Sequence, residues 1–92
     1  MAATGKFNAL IALGAVVDGA TAHADLINSQ VSRSLVKTAM DHGVPVLNGV
    51  VAAHNLEQAI ERCGTKAGNK GWQAALAAIE MANLYRDMEK SI

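Results

Sequence analysis

The run Ala9 to Val17, ALIALGAVV, constrains the fold of this chain more than any other segment. Its apolar residues follow one another without polar alternation. A strand with one wet face alternates; a strand covered on both faces does not. The run is far short of the roughly 20 residues that a membrane-spanning helix needs. It therefore predicts a strand inside a parallel sheet, with helices packed on its faces. Asp18-Gly19 breaks it. An apolar stretch this near the N-terminus has some likeness to a signal peptide. It is preceded by a single Lys6 and followed by no clear cleavage pattern, so it reads as strand.

The following stretch, from about Ala24 to Asp41, places Leu26, Ile27, Val31, Leu35, Val36, Ala39 and Met40 at helical spacing. Asn28, Ser29, Ser32, Arg33 and Lys37 are expected on the opposite, polar face. His42-Gly43 stops the helix, with Gly43 as its left-handed cap and Pro45 soon after. Val44 to Val51 reads as a second strand, with Pro45 at its start, where a proline costs no central ladder bond. Asn55 and Gln58 fit a capping box for the next helix, which Gly64-Thr65 interrupts. A longer helical pattern runs from about Lys66 to Met88. Its firm start falls near Asn69 or Gly71, because Gly68 and Gly71 weaken the first turns. Trp72, Ala75, Leu76, Ile79, Ala82, Asn83 and Arg86 trace its turns, and Trp72 and Met81 read as core. The strand–helix–strand part predicts a right-handed crossover. Two strands make a poor parallel sheet, so further chain or further subunits are expected to complete it.

With 92 residues the chain holds one small domain, and 51% apolar content is that of a core-forming sequence rather than a disordered one. The formal charge is zero, which gives no general pull toward nucleic acid or membrane, so neither is expected as a partner. A single cysteine, Cys63, forms no internal disulfide, and a reducing, cytoplasmic setting is expected. Cys63 itself reads as a small buried residue. His23, His42 and His54 show no metal-ligand spacing, and no metal is expected.

In open parallel sheets ligands bind beyond the carboxyl ends of the strands. Two segments occupy that edge. The first, Asp18-Gly19-Ala20-Thr21-Ala22-His23, has small residues and leads into a helix N-terminus, where free N–H groups suit phosphate. From spacing alone the plainer reading, a helix N-cap with Thr21 or His23 near the cap position, is the favoured one, since the segment matches no formal P-loop pattern. His23 is its titratable side chain, of the type best suited to proton transfer near neutrality, or else a solvated surface group. The second segment runs from Glu61 to Gly71 and sets Arg62, Lys66 and Lys70 among Gly64, Gly68 and Gly71. Arg62 there offers a bidentate grip on phosphate; the bland alternative is a solvated basic turn.

Taken together, IALGAVVDGATAH, GVPVLNGVV and LEQAIERCGTKAGNKGWQAALAAIEMANL resemble the lumazine synthase family in order and spacing, over about Thr4 to Arg86. The resemblance implies a flavodoxin-like three-layer α/β/α sandwich on a parallel sheet. It implies assembly into pentamers, in some members into an icosahedral shell, with sites between neighbouring subunits. It implies riboflavin biosynthesis: 5-amino-6-ribitylaminouracil and 3,4-dihydroxy-2-butanone 4-phosphate condense to 6,7-dimethyl-8-ribityllumazine with loss of phosphate, without metal or organic cofactor. Carried over by position, His23 is the general acid/base. Ala20 and Thr21 hold the phosphate through backbone N–H groups, and Arg62 binds it from the other side. Ala15, Val16 and Val17 contact the pyrimidine by main chain, and Lys70 is a basic group near the site.

The sequence departs from that family at three site positions. Ala24 stands where an aromatic often follows the histidine, Asp18 where many members have Arg, and Asn48 where Phe usually lines the pyrimidine pocket. Asn48 offers hydrogen bonds to a ring or ribityl group in place of an apolar wall. The family also carries an N-terminal part with further strands and a pyrimidine-stacking aromatic, whereas this sequence opens just before the phosphate-loop strand. One domain holding the phosphate half of the site, without most of the pyrimidine half, is therefore expected. Two other readings belong to different classes: an inactive oligomer-forming assembly module, and a small phosphate-binding protein using the same loop and Arg62.

Overall fold

A computed structural model describes residues 1–17, 23–64 and 68–91, apart from the side chains of residues 24 and 91. The segment Asp18 to Ala22 lies outside the described residues, as do Thr65, Lys66 and Ala67, so the expectations placed on Ala20 and Thr21 fall there. After a short 3₁₀ turn at Ala2–Thr4 come β1 (Leu10–Val17), α1 (His23–His42), β2 (Val46–Ala53), α2 (Leu56–Gly64) and α3 (Lys70–Ser91). A two-residue strand, Gly68–Asn69, precedes α3, and Asn69 makes an antiparallel bridge with Cys63. The expected order of elements is present. β2 begins and ends two residues later than its sequence pattern suggests.

β1 and β2 pair in parallel along their full length, from Leu10 opposite Val46 to Val17 opposite Ala53. Alternation along a strand then sorts the side chains into two faces. Leu10, Ala12, Gly14 and Val16 share a face with Val46, Asn48, Val50 and Ala52. Helix α1 lies on that face: Asn48 Nδ2 donates to Ser32 Oγ at 2.9 Å and to Asn28 Oδ1 at 3.4 Å. Helix α3 lies on the other, where a Cβ on Gly49 would approach Ala74 Cβ to 3.5 Å. The sheet is thus sandwiched between helices, an α/β/α arrangement.

Each helix carries its own start and stop signals. Asn55 caps α2 by accepting the N–H of Gln58 at 2.8 Å, and Gln58 Oε1 reaches back to accept the N–H of His54 at 2.9 Å. That is the predicted capping box, with the return bond one residue early. Asn69 Oδ1 accepts the N–H of Trp72 at 2.9 Å and caps α3, which settles its start. Gly43 ends α1 at φ +66°, its N–H donating to Ala39 O at 2.9 Å.

The faces of the long helices differ from the sequence expectation. On α1 the partly buried stripe is Asn28, Val31, Ser32, Leu35, Thr38 and Ala39, while Leu26, Val36 and Met40 are exposed, Met40 by 79%. Asn28 and Ser32 turn inward because Asn48 on the strand beneath them needs hydrogen-bond partners away from water. On α3 the buried residues are Ala74 and Ala78, while Trp72, Leu76 and Ile79 are exposed, Trp72 by 63%. Trp72 is therefore not core. Close approach of α3 to Gly49 admits alanines and excludes larger side chains from that face. Met81 is half-buried, and Cys63, expected inside, is exposed at the end of α2.

The buried apolar side chains among the described residues are all valines and alanines, joined by Pro45 and Gly49. The exposed surface of 6484 Å² exceeds the about 5,100 Å² usual for a folded chain of 9.6 kDa. Much of the surplus is apolar. Ile11, Leu13, Ala15 and Val17, on the α3 side of β1, are all exposed, Leu13 by 72%. A strand patterned for cover on both faces has it here on one.

Candidate functional site

The carboxyl ends of the strands gather the polar side chains. Arg62, in the last turn of α2, donates from its guanidinium to the main-chain carbonyl of Ala52 near the end of β2. That bond ties α2 to the strand and fixes where the guanidinium sits. Lys70 opens α3, positioned by the Asn69 cap. The two cations line one cleft of about 360 Å³ with Val50, Val51 and Ala52 of β2, and with Asp25 and Asn28 of α1. Asn69 and Gln73 complete its polar wall. Two cations at the carboxyl edge of a parallel sheet suit an anionic ligand such as phosphate.

Asn48 lies beside this cleft in a smaller groove of about 170 Å³, which it shares with Lys70, Gln73 and Ala74. Its amide is already committed. Nδ2 serves α1, and Oδ1 accepts the backbone N–H of Val50 at 2.9 Å. Asn48 thus clamps β2 to α1 rather than presenting a free amide.

The remaining predicted residues stand elsewhere. His23 is the first residue of α1 and is exposed. At the end of β1, Ala15 and Val17 are exposed and Val16 is half-buried on the α1 side. None of these four lines the Arg62–Lys70 cleft. Ala15 and Val16 nevertheless pair directly with Val51 and Ala52 of β2, which do line it. Among the described residues, no three metal-ligating side chains cluster, and no helix is long and apolar enough to cross a membrane.

Asp25, Asn28, Asn69 and Gln73 escaped sequence reasoning. Asp25 and Asn28 are three residues apart, which puts them on one side of a helix. That spacing was the available signal, but it did not say that this side faces the sheet.

A parallel strand pair between helices, with cations gathered where the strands end, is the organisation of α/β proteins that bind ligands at the sheet's carboxyl edge. Within that class the comparison with known proteins is specific. Residues 1–86 match the family model of 6,7-dimethyl-8-ribityllumazine synthase, and the chain belongs to that family. The 6,7-dimethyl-8-ribityllumazine synthase of Chlorobium luteolum is 53% identical over 87 residues, covering 95% of this chain and 56% of the relative. Those of Chlorobium phaeovibrioides and Chloroherpeton thalassium are each 51% identical over 88 residues, covering 96% of this chain and 57% of each relative. The chain thus spans little more than half the length of these curated relatives.

Proposed function

We propose that this chain takes part in riboflavin biosynthesis, as the portion of a lumazine synthase that grips phosphate and moves protons. The observation that carries the reading is Arg62 and Lys70 meeting in one cleft at the carboxyl edge of the sheet, in a chain of this family. The substrates are 5-amino-6-ribitylaminouracil and 3,4-dihydroxy-2-butanone 4-phosphate. The amine attacks the ketone to form an imine with loss of water, phosphate is eliminated, and attack of the second ring-borne nitrogen on the remaining carbonyl, with loss of a second water, closes the ring of the lumazine. Arg62 binds the phosphate by parallel hydrogen bonds, as guanidinium does well. Lys70 adds positive charge beside it, and Ala20 and Thr21 supply backbone N–H groups from the segment that precedes α1 in the sequence. His23, exposed at the head of α1, takes and returns the protons of imine formation and elimination. Ala15, Val16 and Val17 offer main-chain contacts to the pyrimidine. The reaction needs no metal or organic cofactor, and its setting is the cytoplasm.

We infer a homo-oligomer built on pentamers, with an icosahedral shell as one form of it. The outward apolar stripes of α1 and α3 and the open side of β1 support assembly. The same surfaces favour a second reading, an inactive module kept for assembly. Incubating the chain with both substrates and following lumazine absorbance separates the two. Product formation that rises steeply with subunit concentration is expected; its absence at every concentration leaves the assembly module.

A further inference from the structure

The two cations of the proposed phosphate grip stand on different helices, and one residue meets the ends of both. Arg62 lies in the last turn of α2, and Lys70 is the first residue of α3. The main chain of Asn69 forms the antiparallel bridge with Cys63, the direct neighbour of Arg62. The side chain of Asn69 caps α3, one residue before Lys70. The backbone N–H of Trp72 can only donate, so the Asn69 atom that it meets at 2.9 Å is Oδ1. Nδ2 is thereby turned toward the end of α2, 3.7 Å from where a Cβ on Gly64 would stand. Asn69 lines the cleft together with both cations. Arg62 has a further anchor in the carbonyl of Ala52. The Lys70 ammonium has no hydrogen bond or ion pair among the described residues, so the capped first turn of α3 places it.

We propose that Asn69 is the positioning residue of this anion site: it braces the end of α2 against the start of α3, and so fixes the separation at which Arg62 and Lys70 meet one phosphate. This rests on the reading above, in which the cleft holds the phosphate. A lysine carries its charge on a flexible four-carbon stem, so the backbone at its root decides where that charge can reach. Ordering the root before the anion arrives spares the ligand that cost on binding. Asn69 acts through Lys70 and makes no contact with the phosphate in this role. Asp and Ser cap a helix as Asn does. Asp would also set a negative charge in the cleft, so Ser is the replacement that keeps the brace alone.

The test is binding of inorganic phosphate to the full chain, read by calorimetry, in wild type, Asn69→Ala, Asn69→Ser, Lys70→Ala and the Asn69→Ala, Lys70→Ala double variant. Asn69→Ala removes the cap and should weaken phosphate by roughly three- to tenfold, the fold-change equivalent of a helix cap. Asn69→Ser keeps a side-chain acceptor and should recover affinity to within about twofold of wild type. Without Lys70 the brace has no second cation to place, so adding Asn69→Ala to Lys70→Ala should cost less than about twofold more. Gly43→Ala, which strains the end of α1 at the opposite edge of the sheet, controls for general destabilisation and should leave phosphate affinity within about twofold. Unchanged affinity in Asn69→Ala overturns the proposal, as does failure of Asn69→Ser to recover it. A full further loss in the double variant overturns it too, and so does an equal loss in Gly43→Ala. Circular dichroism checks folding; where Asn69→Ala does not fold, Asn69→Gly, a milder cap change that also lacks the amide, takes its place. If Arg62→Ala weakens phosphate while Asn69→Ala does not, this assignment falls and the phosphate grip stands; if the wild type binds no phosphate, both fall.

Discussion

Gly49 of β2 lies against Ala74 of α3 so closely that a methyl group on the glycine would come within 3.5 Å of the alanine Cβ. The same methyl would stand 3.0 Å from the carbonyl oxygen of Ala12 and 2.8 Å from Leu13 Cδ2. The leucine end is exposed and can swing away; the backbone oxygen is held by the sheet. Gly49→Ala is thus expected to destabilise the fold by about 1–3 kcal/mol, the usual range for overpacking. Gly14 is a control, because its added methyl would meet only Val50 Cγ2, at 3.9 Å. Gly14→Ala should be neutral or stabilise by up to ~1 kcal/mol through the unfolded chain. Urea denaturation at one protein concentration compares them, and equal midpoints for the two variants would contradict the packing described.

Gly43 holds the end of α1 at φ +66°, where a side chain is strained. Gly43→Ala should cost about 1–2 kcal/mol. A thermal midpoint no lower than wild type would mean that α1 ends in some other way.

The α2 cap gives a smaller, local effect. Asn55→Ala removes the acceptor for the Gln58 N–H and should cost about 1 kcal/mol. Because Arg62 sits on the same helix, phosphate affinity is expected to fall along with stability. Asn55→Asp, which keeps the acceptor, should restore both. Failure of Asp to restore them would detach the cap from the site.

The outward stripes on the long helices predict assembly behaviour. A charge at Met40 or Ile79, each exposed on its helix, meets water in a lone chain but is buried unpaired in a packed interface. Met40→Glu and Ile79→Glu should shift the sedimentation profile toward smaller species, with helix content unchanged. Profiles identical to wild type for both would place the contacts on other surfaces.

If the chain makes lumazine, His23→Ala should lower kcat by ~100-fold or more, the usual worth of a general acid/base. Arg62→Ala should act mainly through KM for the butanone phosphate, since it binds the leaving group in ground and transition states alike. Steady-state kinetics with each substrate varied in turn reads the two signatures. A His23→Ala rate within about tenfold of wild type would remove His23 from that role.

Much of this was legible in the residues themselves. The unbroken apolar run at Ala9 to Val17, Gly43 after the helix, and Asn55 with Gln58 act through the local backbone, so short windows reveal them. Arg62 and Lys70 stood out as cations among glycines. What windows of sequence could not decide is which side of each helix turns to the sheet. Periodicity favours the bulkiest apolar stripe, yet α1 turns Asn28 and Ser32 inward and α3 turns Ala74 and Ala78 inward. Both choices are set from across the fold, by Asn48 needing hydrogen-bond partners and by Gly49 leaving room for little more than a methyl group. Local patterns sufficed for the elements, their order and the residue types available for chemistry. Packing between distant segments ties Asn48 to α1 and brings Arg62 and Lys70 to one cleft. Those outcomes depend on contacts between segments far apart in the chain, which no local pattern encodes.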